Sequence, residues 1–133
     1  MDTQIFVNLP VKDLDRSMAF FAELGFEFNP QFTDETAACM IVADGRIYAM
    51  LLTEAKFREF IPGAICDARN CTEVLVALSC DSRAQVDDLV AKAVAAGGST
   101  YSAPRDYGFM YEQMFQDLDG HIWDLFYMEP GAR

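Results

Sequence analysis

The sequence predicts an α+β fold made of two βαβββ units, whose paired curved mixed sheets enclose a shared cavity. Three observations predict it. The order strand, helix, then three strands occurs twice along the 133 residues. An Asp-Gly pair marks the last hairpin of each copy, at Asp44-Gly45 and Asp119-Gly120. Each copy's helix pattern also starts at a capping residue, Asp13 or Ser82, and ends at glycine, Gly25 or Gly97-Gly98.

The first strand is Ile5 to Val11, with Val7, Leu9 and Val11 on one face. Leu14, Met18, Phe21 and Ala22 then recur at helical spacing up to Gly25. Strands follow at Phe26 to Phe32, Thr36 to Ala43 and Arg46 to Leu52, then a short helix from Thr53 to Phe60 that Pro62 stops. The second copy opens with a strand from Thr72 to Cys80. Ser82 and Gln85 form a capping box, and Val86, Leu89, Val90, Ala93 and Val94 make the apolar stripe of the helix behind it. Strands are predicted at Ser99 to Ala103, Tyr107 to Gln116 and His121 to Met128. The chain is therefore one domain over 1–133, with unit one at 3–53, a connection at 54–71 and unit two at 72–129.

Charge narrows the function classes. Ten basic residues against 21 acidic ones leave a net charge of −11, which repels phosphate backbones and anionic lipid headgroups, so neither a nucleic acid nor a membrane is expected as partner. The longest apolar run, Ala37 to Ala43, is far shorter than the ~20 residues of a membrane span. Met1-Asp2-Thr3-Gln4 has no basic segment, so a secretory leader is not expected. Cys39 and Cys80 sit in apolar runs and read as buried thiols. Cys66 and Cys71 bracket a polar loop, either as a reactive pair or, as expected of a cytoplasmic protein, as reduced thiols. With no C-x-x-C pair and one histidine, no zinc-site spacing can be assembled.

Strand parity assigns the cavity side. Phe6, Asn8, Glu73, Leu75, Ala77, Asp124 and Phe126 are expected to face inward, with Met50 and Leu52 or their neighbours. Tyr107, Phe109, Tyr111 and Gln113 are expected to add an aromatic wall from the seventh strand. Such an apolar and aromatic lining with few polar groups suits a small organic ligand. Asp124 is the candidate catalytic residue, because an apolar pocket disfavours its charged form and raises its pKa toward general-base range. The competing reading pairs Asp124 with an arginine or a backbone amide. His121, three residues from Asp124 on a strand, points to the opposite face and is expected in a turn-flanking role.

The stretch Val11 to Phe21, followed by Leu24-Gly25-Phe26, resembles the opening of a vicinal oxygen chelate domain, and Asp117-Leu118-Asp119-Gly120-His121 resembles the turn before that family's final strand. The resemblance covers essentially the whole chain and implies a glyoxalase/bleomycin resistance/dioxygenase-like fold. It is closest to a bacterial group described as predicted lactoylglutathione lyases. Metal-dependent members place His or Glu at one inward position on the first and last strand of each unit. Here those positions fall on Phe6, on Met50 or Ala49, on Leu75 and on Asp124. One carboxylate does not hold a catalytic divalent ion, so no metal and no cofactor is expected. A divalent metal enters only under the alternative reading, a lactoylglutathione lyase-like or other metal-dependent lyase or isomerase.

Two readings follow. One is a metal-free pocket that sequesters or senses a small molecule, as in bleomycin resistance proteins. The other is an enzyme, acting through Asp124 or through a metal. The family's habit of associating across a two-fold axis, and the exposed sheet edges, lead to the expectation of a homodimer.

Overall fold

The computed structural model describes residues 2–131. Among them the strands form two four-stranded mixed sheets, and the chain divides into two compact units after Cys66.

The first unit runs β1 (Ile5–Val11), α1 (Leu14–Glu23), β2 (Glu27–Asn29), β3 (Ala37–Ala43), β4 (Ile47–Thr53) and the short α2 (Glu54–Arg58). Its sheet has the order β1-β4-β3-β2, with β1 and β4 parallel and the other pairs antiparallel. α1 begins where it should, because the Asp13 carboxylate accepts the Arg16 N–H at 3.1 Å. Leu14, Phe20 and Phe21 of α1 are buried, as are Leu9, Val11, Met40 and Leu51 on one face of the sheet. Each large side chain so buried contributes about 2 kcal/mol of transfer free energy. Register places Phe6, Asn8, Tyr48, Met50, Leu52 and Cys39 together on the other face. The expected strand Phe26 to Phe32 is cut to three residues, because Asn29 caps a single 3₁₀ turn at Pro30–Phe32 and proline has no N–H for the ladder.

The second unit runs β5 (Leu75–Ser79), α3 (Arg83–Ala95), β6 (Arg105–Asp106), β7 (Met110–Gln116) and β8 (Ile122–Met128), in the sheet order β5-β8-β7-β6. β5 and β8 are parallel; the other pairs are antiparallel. The capping box of α3 forms in a shifted version. Ser82 Oγ accepts the Gln85 N–H at 3.0 Å, while Gln85 Oε1 reaches the N–H of Asp81 at 2.6 Å. The predicted strand at Ser99 to Ala103 reduces to a bridge between Ser99 and Gln116, and the outer strand is Arg105–Asp106 instead. The β6–β7 hairpin holds this outer piece in place: Gly108 takes a φ of +83°, and Tyr107 N–H bonds the Met110 carbonyl at 2.8 Å. Arg83 at the start of α3 ties the hairpin down. It pairs with Asp106 at 2.9 Å and Glu129 at 3.3 Å, and donates to the Gly108 carbonyl at 3.0 Å. The Gly108 N–H and the Arg83 guanidinium together hold the Asp106 carboxyl below the usual aspartate range.

The turn before β8 is organised by one buried carboxylate. Asp117 Oδ1 accepts the backbone N–H groups of Asp119 at 2.9 Å and His121 at 3.0 Å, while Oδ2 accepts the Trp123 indole N–H at 3.0 Å. Burial pushes the Asp117 carboxyl up, opposed by the nearby His121 charge and the Trp123 bond. Asp117→Ala is expected to cost about 2 kcal/mol by stripping three donors of their acceptor. Chemical denaturation followed through the single tryptophan checks it.

Two cysteine expectations divide. Cys39 and Cys80 are free thiols, both pushed up by burial. Cys66 and Cys71 are not reduced thiols: both are disulfide-bonded. Their separation of five positions, wound into a tight turn, brings the two backbones within reach of one bridge.

Candidate functional site

Pairing in the second sheet decides which side chains share a face. Asp124 lies opposite Met114, and Phe126 opposite Glu112, while Ala77 and Leu75 of β5 align with Asp124 and Ile122. Arg105 of β6 stands beside Glu112. The face turned away from α3 therefore carries Leu75, Ala77, Asp124, Phe126, Glu112 and Met114.

Tyr111 and Gln113, expected to line the cavity with Asp124, lie on the opposite face. Tyr111 donates to Asp87 of α3 at 2.5 Å, and the Arg83 guanidinium sits 5.4 Å from its ring centre. The bond to Asp87 pushes its phenol up to about 12, so Tyr111 is committed to packing the helix. The aromatic wall is thus split. Tyr107 and Phe109 precede β7, with rings 6.2 Å apart, and Tyr107 turns its hydroxyl to Glu112 at 3.3 Å. Glu73 precedes β5 and is exposed, off the ladder. Phe6 and Tyr48 stack at 4.7 Å on one face of the first sheet, and Phe6 is half exposed. Met50 and Leu52 share that face, as does Asn8, whose amide donates to the Phe6 carbonyl at 3.1 Å.

The residue that sequence reasoning missed is Glu112. Its side chain is buried, with the Arg105 guanidinium 3.6 Å away and the Tyr107 hydroxyl donating to it at 3.3 Å. Asp124 is hydrogen-bonded to Glu112. Burial first, then the Glu112 charge and that hydrogen bond, push the Asp124 carboxyl to about 6, with Arg105 opposing. Asp124 Oδ1 is buried without a hydrogen-bond partner. Two carboxyls, an arginine and a tyrosine hydroxyl thus stand among Met114, Phe126 and Ala77, and one of the carboxyls changes charge near neutral pH. Such a group takes or gives a proton readily and accepts a hydrogen bond from whatever lies over it. A separate hollow of about 320 Å³ in the first unit, lined by Thr3, Gln4, Ile5, Ala43, Arg46 and Ile47, carries no comparable polar cluster.

The donor set does not fit a catalytic divalent ion. Phe6 and Leu75 have no donor atom, Met50 offers a soft thioether, and among the described residues no group of three or more His, Cys, Asp or Glu is placed to hold a metal. His121 adds nothing at Asp124, since it sits in the turn before β8 rather than on the Asp124 face.

Residues 3–43 match the family model described as bleomycin resistance protein-like N-terminal. A hypothetical protein of S. aureus is 29% identical, with a TM-score of 0.79, over 96% of this chain and 95% of its own. A glyoxalase-related enzyme from Fulvimarina pelagi has a TM-score of 0.77 at 20% identity, over 96% of this chain and 88% of its own. A fosfomycin resistance protein from Listeria monocytogenes has a TM-score of 0.71 at 19% identity, over 100% and 98% of the two chains. A search of curated proteins finds no match. The fold is that of the glyoxalase, bleomycin resistance and dioxygenase proteins. In fold the chain resembles the vicinal oxygen chelate proteins, and over residues 3–43 it resembles bleomycin resistance proteins in sequence. Among the described residues no helix is long and apolar enough to cross a membrane.

Proposed function

We propose that the chain binds a small organic molecule on the apolar face of its second sheet without a catalytic metal, using the Asp124–Glu112 pair as the polar anchor. The observation that carries this reading is the buried Oδ1 of Asp124, an acceptor with no partner on a face otherwise lined by Met114, Phe126 and Ala77. A buried acceptor without a donor costs about 1–3 kcal/mol, which a ligand N–H or O–H recovers on binding. Together with a net charge of −11, this favours a neutral or cationic ligand over an anionic glutathione adduct. The homodimer belongs to the same proposal and is checked by sedimentation equilibrium.

The raised carboxyl supports a second reading. With its carboxyl near 6, Asp124 is mostly ionised at neutral pH and within range of a general base, so metal-free proton transfer on a bound ligand is the enzymatic form of the same site.

The test is calorimetric titration of the chelator-treated protein with metal-free bleomycin and, separately, with S-lactoylglutathione. Bleomycin binding that weakens about tenfold in Asp124→Asn is the expected outcome. Tight binding of S-lactoylglutathione alone, or one equivalent of Zn, Ni, Mn or Fe whose removal abolishes a lyase activity, overturns it in favour of the metal-dependent alternative.

A further inference from the structure

We propose that the Cys66–Cys71 disulfide is a reversible catch that seats the 67–71 loop on the turn leading into β8, and that a dithiol reductant releases it. With Cys39 and Cys80 free, the two remaining cysteines are bonded to each other. The loop they close is wound on Asp67. Its backbone carbonyl accepts the N–H groups of Asn70 at 2.9 Å and Cys71 at 3.1 Å, and its carboxylate accepts the Arg69 N–H at 3.0 Å and the Asn70 amide at 2.9 Å.

This loop lies directly against the Asp117–His121 turn. The Arg69 guanidinium donates to the Leu118 carbonyl. At Gly120 the backbones are so close that an added Cβ would stand 3.0 Å from the Arg69 nitrogen and 3.1 Å from the Ala68 carbonyl carbon. The turn under the loop is the one Asp117 organises, with the His121 N–H on Oδ1 and the Trp123 indole on Oδ2. Both cysteines are exposed, so a thiolate has access to the bond. The closed ring is short and constrains only its own residues, so opening it loosens the loop and leaves the sheets intact.

The step balances as thiol–disulfide exchange. A thiolate of the dithiol attacks one cysteine sulfur and displaces the other as thiolate, forming a mixed disulfide. The reductant's second thiol then displaces the bound cysteine. Two electrons and two protons pass to Cys66 and Cys71, and the dithiol leaves as its own disulfide. Because the turn opens into β8, the redox state bears on the strand that carries Asp124.

The experiment uses air-oxidised protein with and without dithiothreitol. Alkylation after denaturation counts thiols by mass, and amide hydrogen exchange is read at residues 118–121. Two alkylated cysteines before reduction and four after are expected, with exchange at 118–121 at least tenfold faster in the reduced protein. Cys66→Ser/Cys71→Ser should show the fast rate in both buffers, while Cys39→Ser/Cys80→Ser should respond as the unsubstituted chain does. Four alkylated cysteines in oxidised protein overturn the proposal. So does exchange at 118–121 that changes less than twofold, or acceleration spread equally over β3 and β4, which would make the bond a general staple.

Discussion

Gly120→Ala lowers the stability of the fold by about 3 kcal/mol, the sum of a left-handed backbone penalty and a collision with neighbouring main chain. Gly120 has a φ of +88°, where a side chain is strained whatever the surrounding space. The new methyl would also meet Arg69 Cγ at 2.8 Å and, more seriously, two backbone atoms of the 67–71 loop. A flexible side chain can turn aside, but main chain moves only with its loop. Gly25 provides the control: its φ is +100°, yet nothing lies within 4 Å of the position a Cβ would take. Gly25→Ala is therefore expected to cost only about 1 kcal/mol, the backbone penalty alone. Thermal unfolding of the two variants should differ by several degrees in Tm. Equal losses would show that the loop yields to the added methyl.

Asp124→Asn removes a pH dependence and weakens ligand binding together. In the folded chain Asp124 titrates near 6 instead of 3.8, because burial and the Glu112 charge disfavour its ionised form. Between those two values the folded chain holds a proton that the unfolded chain has released, so raising the pH favours unfolding. The stabilising contribution is whole below about pH 4 and is lost as the pH rises through about 6. After allowance for solvent screening it is about 1 kcal/mol. Asparagine keeps the shape without the titration. The stability difference between variant and parent should therefore shift by that amount in the variant's favour from pH 4 to pH 7.5, measured by urea denaturation. Parallel curves would mean that Asp124 ionises in its ordinary range. If the binding proposal holds, the same variant also loses the pH dependence of affinity.

The fold was legible because its signals are local and repeated. Asp13 and Ser82 cap their helices through their own side chains, and Pro62 and the glycines sit where elements stop. The connection was less so. Nothing in the spacing of Cys66 and Cys71 distinguishes a bonded pair from two thiols, because that depends on the turn Asp67 builds between them. The site was half legible. Asp124 could be singled out as a carboxylate in an apolar strand, but Glu112 could not. Tyr107, Phe109, Tyr111 and Gln113 alternate as one face, and both faces of β7 mix polar with apolar residues. Only the register with β8, Met114 against Asp124, shows that the even-numbered residues share the Asp124 face. One clue was available in sequence: Trp123 and Leu125 suit a helix-covered core, which leaves Asp124 on the other face of β8. The register then puts Glu112 opposite Phe126, on the Asp124 face.

The alternation along β5, β7 and β8 also separates two mutational histories. Phe115, Trp123 and Leu125 are buried on the α3 side, where a lost methylene is felt across the packing. Leu75, Ala77, Met114 and Phe126 stand on the other side of the same strands. Substitutions in the two groups should combine nearly additively. If the binding proposal holds, a lineage can exchange the second group repeatedly and change its ligand preference while the first group keeps the sheet folded. Selection experiments that randomise Leu75, Ala77, Met114 and Phe126 should return many folded clones, and the same library at Phe115, Trp123 and Leu125 very few.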